Sequence, residues 1–144
     1  MPEVIRHRSW LGLRPRAEFV PATNPVRQAH RLLHVGFVAL PLIAGFDKFT
    51  HLLTNWNQYL APSVARLSPI APHPLMQLVG VIEIAAAALV LVRPRMGGYV
   101  VAAWLAAIIL NLLMLGGYYD IALRDLGLAL GALALARLSS VYER

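Results

Sequence analysis

The sequence predicts an all-α protein, a transmembrane four-helix bundle with both termini cytoplasmic. Three observations carry that expectation. The 144 residues are 58% hydrophobic and 14% charged, where a soluble domain carries about 25% charge. The apolar residues collect in four stretches of ~18–22 residues, each enough for a hydrocarbon core of ~30 Å. The basic residues, twelve arginines and one lysine, fall almost entirely on one side of those stretches, as positive-inside topology requires. No strand-length alternation with turn punctuation occurs, which argues against a β-barrel.

Residues 1–24 read as a basic cytoplasmic arm with Arg6, Arg8, Arg14 and Arg16. Arginines and prolines interrupt it and no early apolar run follows, so it is not a signal peptide. Trp10, Leu11 and Leu13 suit either anionic headgroups or a solvated tail. The four-helix transmembrane domain is predicted over 25–138, with a cytoplasmic tail over 139–144. Thr23-Asn24-Pro25 offers a capping side chain and a proline at the first helical position. The first span runs from about Pro25 to Leu53, with Pro41 expected to kink it. A long loop from Thr54 to Pro74 follows. Within it Trp56, Tyr59 and Leu60 suggest a short interfacial helix ended by Pro62.

The breakers Pro69, Pro72 and Pro74 precede the second span, Leu75 to Val92. Arg93-Pro94-Arg95 makes a tight basic link to the third, Gly98 to Leu115. Gly116-Gly117-Tyr118-Tyr119-Asp120 turns the chain into the fourth, Ile121 to Leu138. Arg27, Arg31, Arg93, Arg95, Arg137 and Arg144 share a side with the arm, while the opposite loops hold little beyond Arg66. The net charge of +6 thus reflects topology, and no nucleic-acid partner is expected.

Several chemistries are excluded. The chain has no cysteine, hence no disulfide, thiolate ligand or thiol relay. A four-helix thiol oxidoreductase of the vitamin K epoxide reductase type is ruled out on that ground. No P-loop, GxSxG, Rossmann fingerprint or CxxC is present. His30 and His34 share a helix face at metal-ligand spacing, but no third ligand is evident. They read as interfacial histidines, and no metal is predicted. His73, between prolines, reads as a loop residue.

The informative residues are the ionisable ones inside the spans: Asp47, Lys48, Glu83, Arg124 and Asp125. Each costs about 2.5–3.5 kcal/mol at a helix centre, so they must satisfy one another. At ~1.5 Å per residue, Lys48, Asn111, Arg124 and Asp125 fall roughly 7–8 Å from the midplane, in one outer layer, with Glu83 about a turn deeper. Small residues accompany them on one face: Gly80 and Ala87 with Glu83, Ala103 and Ala107 with Asn111. Gly127 and Gly131, a GxxxG, accompany Arg124. The polar groups are therefore expected to point inward. Asp47 cannot share the helix face of Lys48 and is expected toward the outer loop. Two readings stand: an ion-pair network that fixes helix register, or a ligand site opening outward. In the second, Lys48 and Arg124 are cationic anchors and Glu83 is proton-active. His51, Tyr118 and Tyr119 are candidates for the mouth of such a pocket. The two tyrosines, with Trp56 and Tyr59, equally suit an aromatic belt.

At these residues the chain resembles the DoxX-like family of small four-span bacterial membrane proteins. The matching segments are Ala44-Gly45-Phe46-Asp47-Lys48, Gly80-Val81-Ile82-Glu83, Asn111 and Arg124-Asp125, within residues 32–138. Members of that family include the membrane subunit of a thiosulfate:quinone oxidoreductase and proteins that aid assembly of redox enzymes. The resemblance implies a multi-pass protein of the bacterial cytoplasmic (inner) membrane with a quinone-facing pocket around Lys48, Glu83, Asn111 and Arg124. It implies an accessory subunit of a membrane redox system. A quinone-linked oxidoreductase of the thiosulfate type and a small transporter using the buried charges are the alternatives. The long arginine-rich arm adds the expectation of another membrane or periplasmic protein as partner.

Overall fold

The computed structural model describes residues 24–142. The expected basic arm, apart from Asn24, lies outside the described residues, as do Glu143 and Arg144 of the tail. All regular structure among the described residues is helical. The elements are α1 (Pro25–Thr50), a 3-10 turn (Trp56–Tyr59), α2 (Pro62–Leu67), α3 (Pro72–Val92), α4 (Pro94–Leu115) and α5 (Tyr119–Ser139).

Three helices, α1, α3 and α4, are long and apolar enough to cross a membrane. The sequence reading expected four. Helix α5 is as long, at 21 residues, but Asp120, Arg124, Asp125 and Arg137 fall within it. That charge load keeps it from reading as a span by composition alone.

Prolines begin helices here. Pro25, Pro62, Pro72 and Pro94 each sit in the first turn of α1, α2, α3 and α4. A first-turn residue has no intrahelical partner for its N–H, and proline's fixed φ is already helical. This corrects three expected boundaries. Pro62 starts a helix where it was expected to end one, and α3 and α4 begin three and four residues earlier than Leu75 and Gly98. At α1 the Asn24 side chain accepts from Val26 N–H at 2.7 Å. Helix α1 stops at Thr50, short of Leu53, because His51 turns left-handed (φ 54°) and its N–H closes onto Asp47 O at 2.7 Å.

Helices α1 and α3 run antiparallel and cross where two glycines meet. A Cβ on Gly80 would lie 2.7 Å from Gly45 O, and one on Gly45 would lie 2.7 Å from Gly80 O. Further along, His34 Nε2 donates to Val90 O at 2.9 Å, which fixes that ring nitrogen as protonated. Helix α4 closes on both neighbours: Gly97 packs on the Val90 backbone and Gly98 on Ala132 O. Phe37, Val90, Val101 and Leu135, all buried, form the core at this end. There α1 also reaches α5, through His30 Nε2 and Ser139 Oγ at 2.9 Å and through the Phe37 ring on Gly131.

The GxxxG pair behaves unevenly. Gly131 receives the Phe37 ring, whereas a Cβ on Gly127 would meet nothing within 4 Å. The close backbone approaches fall instead at Gly45–Gly80 and at Gly97 and Gly98. Gly80→Ala should therefore lower stability by about 1–3 kcal/mol, since neither backbone can yield cheaply. Gly127→Ala should be neutral or slightly stabilising. Thermal unfolding in detergent compares the two, and equal midpoints would contradict the packing described.

Candidate functional site

The site begins at the glycine crossing. Lys48 lies one turn after Gly45 and Glu83 one turn after Gly80. Side chains on a helix lean toward its N-terminus. Because α1 and α3 are antiparallel, the two side chains lean toward each other. Lys48 Nζ donates to Glu83 Oε2 at 2.6 Å, the one ion pair among the described residues. Both residues are buried, Lys48 to 3% exposure. The Trp56 ring covers the ammonium at 3.7 Å to the ring centroid, a cation–π contact. Ala44 O accepts weakly from the same ammonium at 3.4 Å.

Asp47 does a different job from its neighbour. Its carboxylate accepts from the Thr50 hydroxyl at 3.1 Å, from Leu52 N–H at 2.9 Å and from Leu53 N–H at 3.1 Å. It also accepts from the Trp56 indole N–H at 2.7 Å. Asp47 thus shapes the segment leaving α1 and orients Trp56 by its edge, while Lys48 meets the same ring by its face. One tryptophan joins two residues that sit on different sides of their own helix.

Asn111 holds the loop from the far side. Its Oδ1 accepts from Ala61 N–H at 3.0 Å and its Nδ2 donates to Tyr59 O at 2.6 Å. Both ends of the amide are spent on loop backbone, and Ala61 is fully buried beneath it. The Tyr59 ring meets Tyr118 edge-on at 5.1 Å. The segment between α1 and α3 is thereby fastened at Asp47, at Asn111 and at Tyr118.

Under this segment lies a cavity of about 890 Å³, within the ~300–1,000 Å³ of small-molecule sites. Its walls are mostly apolar, with Phe37, Leu105, Ile108 and Leu128 among them. Polar groups gather toward the loop: Lys48, Glu83, Trp104, Asn111, Arg124 and Asp125. Arg124 and Asp125 make no hydrogen bond or ion pair with other described residues within bonding distance. The Trp104 indole N–H is buried against the Glu83 carboxylate, which is its nearest acceptor although the contact falls short of strict hydrogen-bond geometry. Trp104 thereby adds a neutral donor to the Lys48–Glu83 pair at the polar end of the cavity.

The structure brings Lys48, Glu83, Asn111, Arg124 and Asp125 to one cavity. It sets Asp47 behind Trp56, outside the lining. His51, Tyr118 and Tyr119 do not line the cavity either. His51 stacks on His73 at 5.4 Å, Tyr118 supports Tyr59, and Tyr119 is 62% exposed. At the opposite end, His30 and His34 serve as ties to α5 and α3, and no three-ligand metal cluster occurs among the described residues. The sequence reading missed Trp104 and the cation–π role of Trp56. The available signal was a tryptophan in mid-span, far from the interface where its N–H finds water.

Removing one partner of the ion pair orphans a buried charge, typically a loss of about 3–5 kcal/mol. Lys48→Met and Glu83→Leu should each show that loss, and the double variant should recover most of it. Chemical unfolding in detergent gives the cycle; additive losses would show that the pair is not coupled.

No protein-family model, curated protein or solved structure matches this chain.

Proposed function

We propose that the chain is a multi-pass protein of the bacterial cytoplasmic membrane, a DoxX-like four-helix transmembrane bundle with both termini cytoplasmic. In this reading it binds a quinone between its helices and serves as an accessory subunit of a membrane redox system. Helix α5 completes the bundle as the fourth span. Its Arg124 and Asp125 line the cavity within two turns of the helix start, with Arg124 at the exposed rim, where a long side chain reaches the interface.

The observation that carries the ligand reading is the cavity itself, apolar for most of its length and polar at one end. A lipophilic molecule with a small polar head matches that division. Lys48, Glu83, Arg124 and Asp125 sum to zero formal charge, so an uncharged head adds no uncompensated charge to a site of low dielectric. The Trp104 N–H, held against Glu83, is the neutral donor nearest such a head. A quinone carbonyl on an apolar tail supplies both features. Thiosulfate is a poorer match, because Lys48 is occupied by Glu83 and covered by Trp56. Partnership with another membrane or periplasmic protein rests on the resemblance and on the basic arm.

Two measurements test this reading. In the cysteine-free chain, single cysteines at Asn57 and Ser140 should label from opposite faces of sealed vesicles; labelling from one face would overturn the topology. Purified protein in nanodiscs should bind a decyl-substituted benzoquinone saturably by calorimetry. Trp104→Phe should weaken binding about three- to tenfold, the worth of one net hydrogen bond. Absence of saturable binding to the unmodified chain would sink the quinone reading.

A further inference from the structure

The cavity has an open side, and its position indicates how a ligand reaches it. Contacts between α1 and α5 lie at His30–Ser139, at His30–Tyr142 and at Phe37–Gly131. All lie between the N-terminal half of α1 and either the C-terminal half of α5 or Tyr142, just past its end. Four residues before Gly131, on the same face of α5, Gly127 meets nothing within 4 Å of where a Cβ would stand. Gly127 nevertheless lines the cavity, and so do Leu40 of α1 and Leu128 of α5. These rim residues are exposed, Leu40 to 53% and Leu128 to 39%. The two helices thus part beyond Phe37, leaving an apolar slot with Arg124, also exposed, toward its loop end.

The end of the cavity facing the loop is shut. Asn111 fixes Tyr59 and Ala61, Asp47 fixes Leu52, Leu53 and Trp56, and Tyr118 backs Tyr59. A molecule arriving from water would have to break these ties and cross the buried ion pair. One arriving from hydrocarbon at Leu40, Gly127 and Leu128 meets apolar atoms, with Arg124 one turn nearer the loop.

We propose that the α1–α5 slot at Gly127 is a lateral portal through which a membrane-dissolved, uncharged lipophile enters and leaves the cavity directly from the bilayer. This rests on the quinone-binding bundle proposed above and adds its route. The glycine at 127 keeps the portal open, and the fastened loop is a fixed cover that stays in place during exchange. A second groove of about 470 Å³ lies between α3 and α4, lined by Ala85, Ala103 and Trp104 among others. It shares Trp104 and Ala86 with the cavity as wall residues, and no glycine gap opens it there.

The test uses full-length protein in phosphatidylcholine nanodiscs and the same decyl-substituted benzoquinone. Binding is followed in stopped flow through quenching of Trp56 and Trp104, both of which line the cavity. Gly127→Leu puts a side chain into open space, so the variant keeps its fold. Association and dissociation should both slow about tenfold, more than any change in Kd at this cavity-lining position, the signature of an obstructed path. A companion variant, Ser63→Cys with Met114→Cys, whose native side chains are 4.0 Å apart, ties α2 to α4 through a short thiol-reactive cross-linker. That tie should leave both rates unchanged. Unaltered rates in Gly127→Leu, or a weaker Kd with unaltered association, would overturn the portal. Slowed rates in the cross-linked loop variant would overturn it too. If the unmodified chain shows no saturable quenching, it is the quinone reading that fails.

Discussion

A lysine and a glutamate enclosed between two apolar helices leave their surroundings few options. Neither charge is affordable alone in that setting, and together they persist only with close approach and full enclosure. Gly45 and Gly80 provide the approach, since any side chain at either position would push the helices apart. Antiparallel packing provides the convergence, because each side chain leans toward its own N-terminus. Trp56 supplies the enclosure, and a tryptophan reaching back from a loop needs that loop held still. Asp47 and Asn111 hold it.

The cavity follows from the same arrangement. The helices pack tightly around Phe37, Val90, Val101 and Leu135 at one end. At the other end a cluster of polar side chains and a loop laid over them replace a continuous apolar core. Small residues on α4 and α5 face that space without filling it, Ala107 and Gly127 among them. Space that in a soluble core would be closed by larger side chains is kept open here, with Trp104, Arg124 and Asp125 on its wall. A stability role alone explains the Lys48–Glu83 pair. It does not explain an unfilled volume of this size beside it, and that difference favours a ligand.

The sequence was legible where a physical cost had to be met locally. Charges in apolar runs, small residues one turn away and the Asn24-Pro25 pair each marked a helix or its buried face. Lys48, Glu83, Arg124 and Asp125 were legible for that reason. Asn111 was picked out as a polar residue of its span, but its partners were hidden: it serves loop backbone, and backbone groups look the same in every sequence. Asp47 was separated from Lys48 by helix geometry alone, yet the tryptophan that rejoins them comes nine residues later in a loop of unpredictable path. His51 and Tyr119 looked like a pocket mouth because depth is readable and direction past a helix end is not. Gly127 was misjudged for a related reason. A glycine that lets a backbone in and a glycine that leaves a gap share one letter.

The account stands most directly on whether the chain carries a lipophile in its own membrane. Native mass spectrometry of protein released from that membrane in mild detergent measures this without choosing a ligand in advance. The account predicts one uncharged, carbonyl-bearing lipid per chain, surviving desolvation and lost on unfolding. Bare chains throughout, under conditions that retain annular phospholipid, would contradict it.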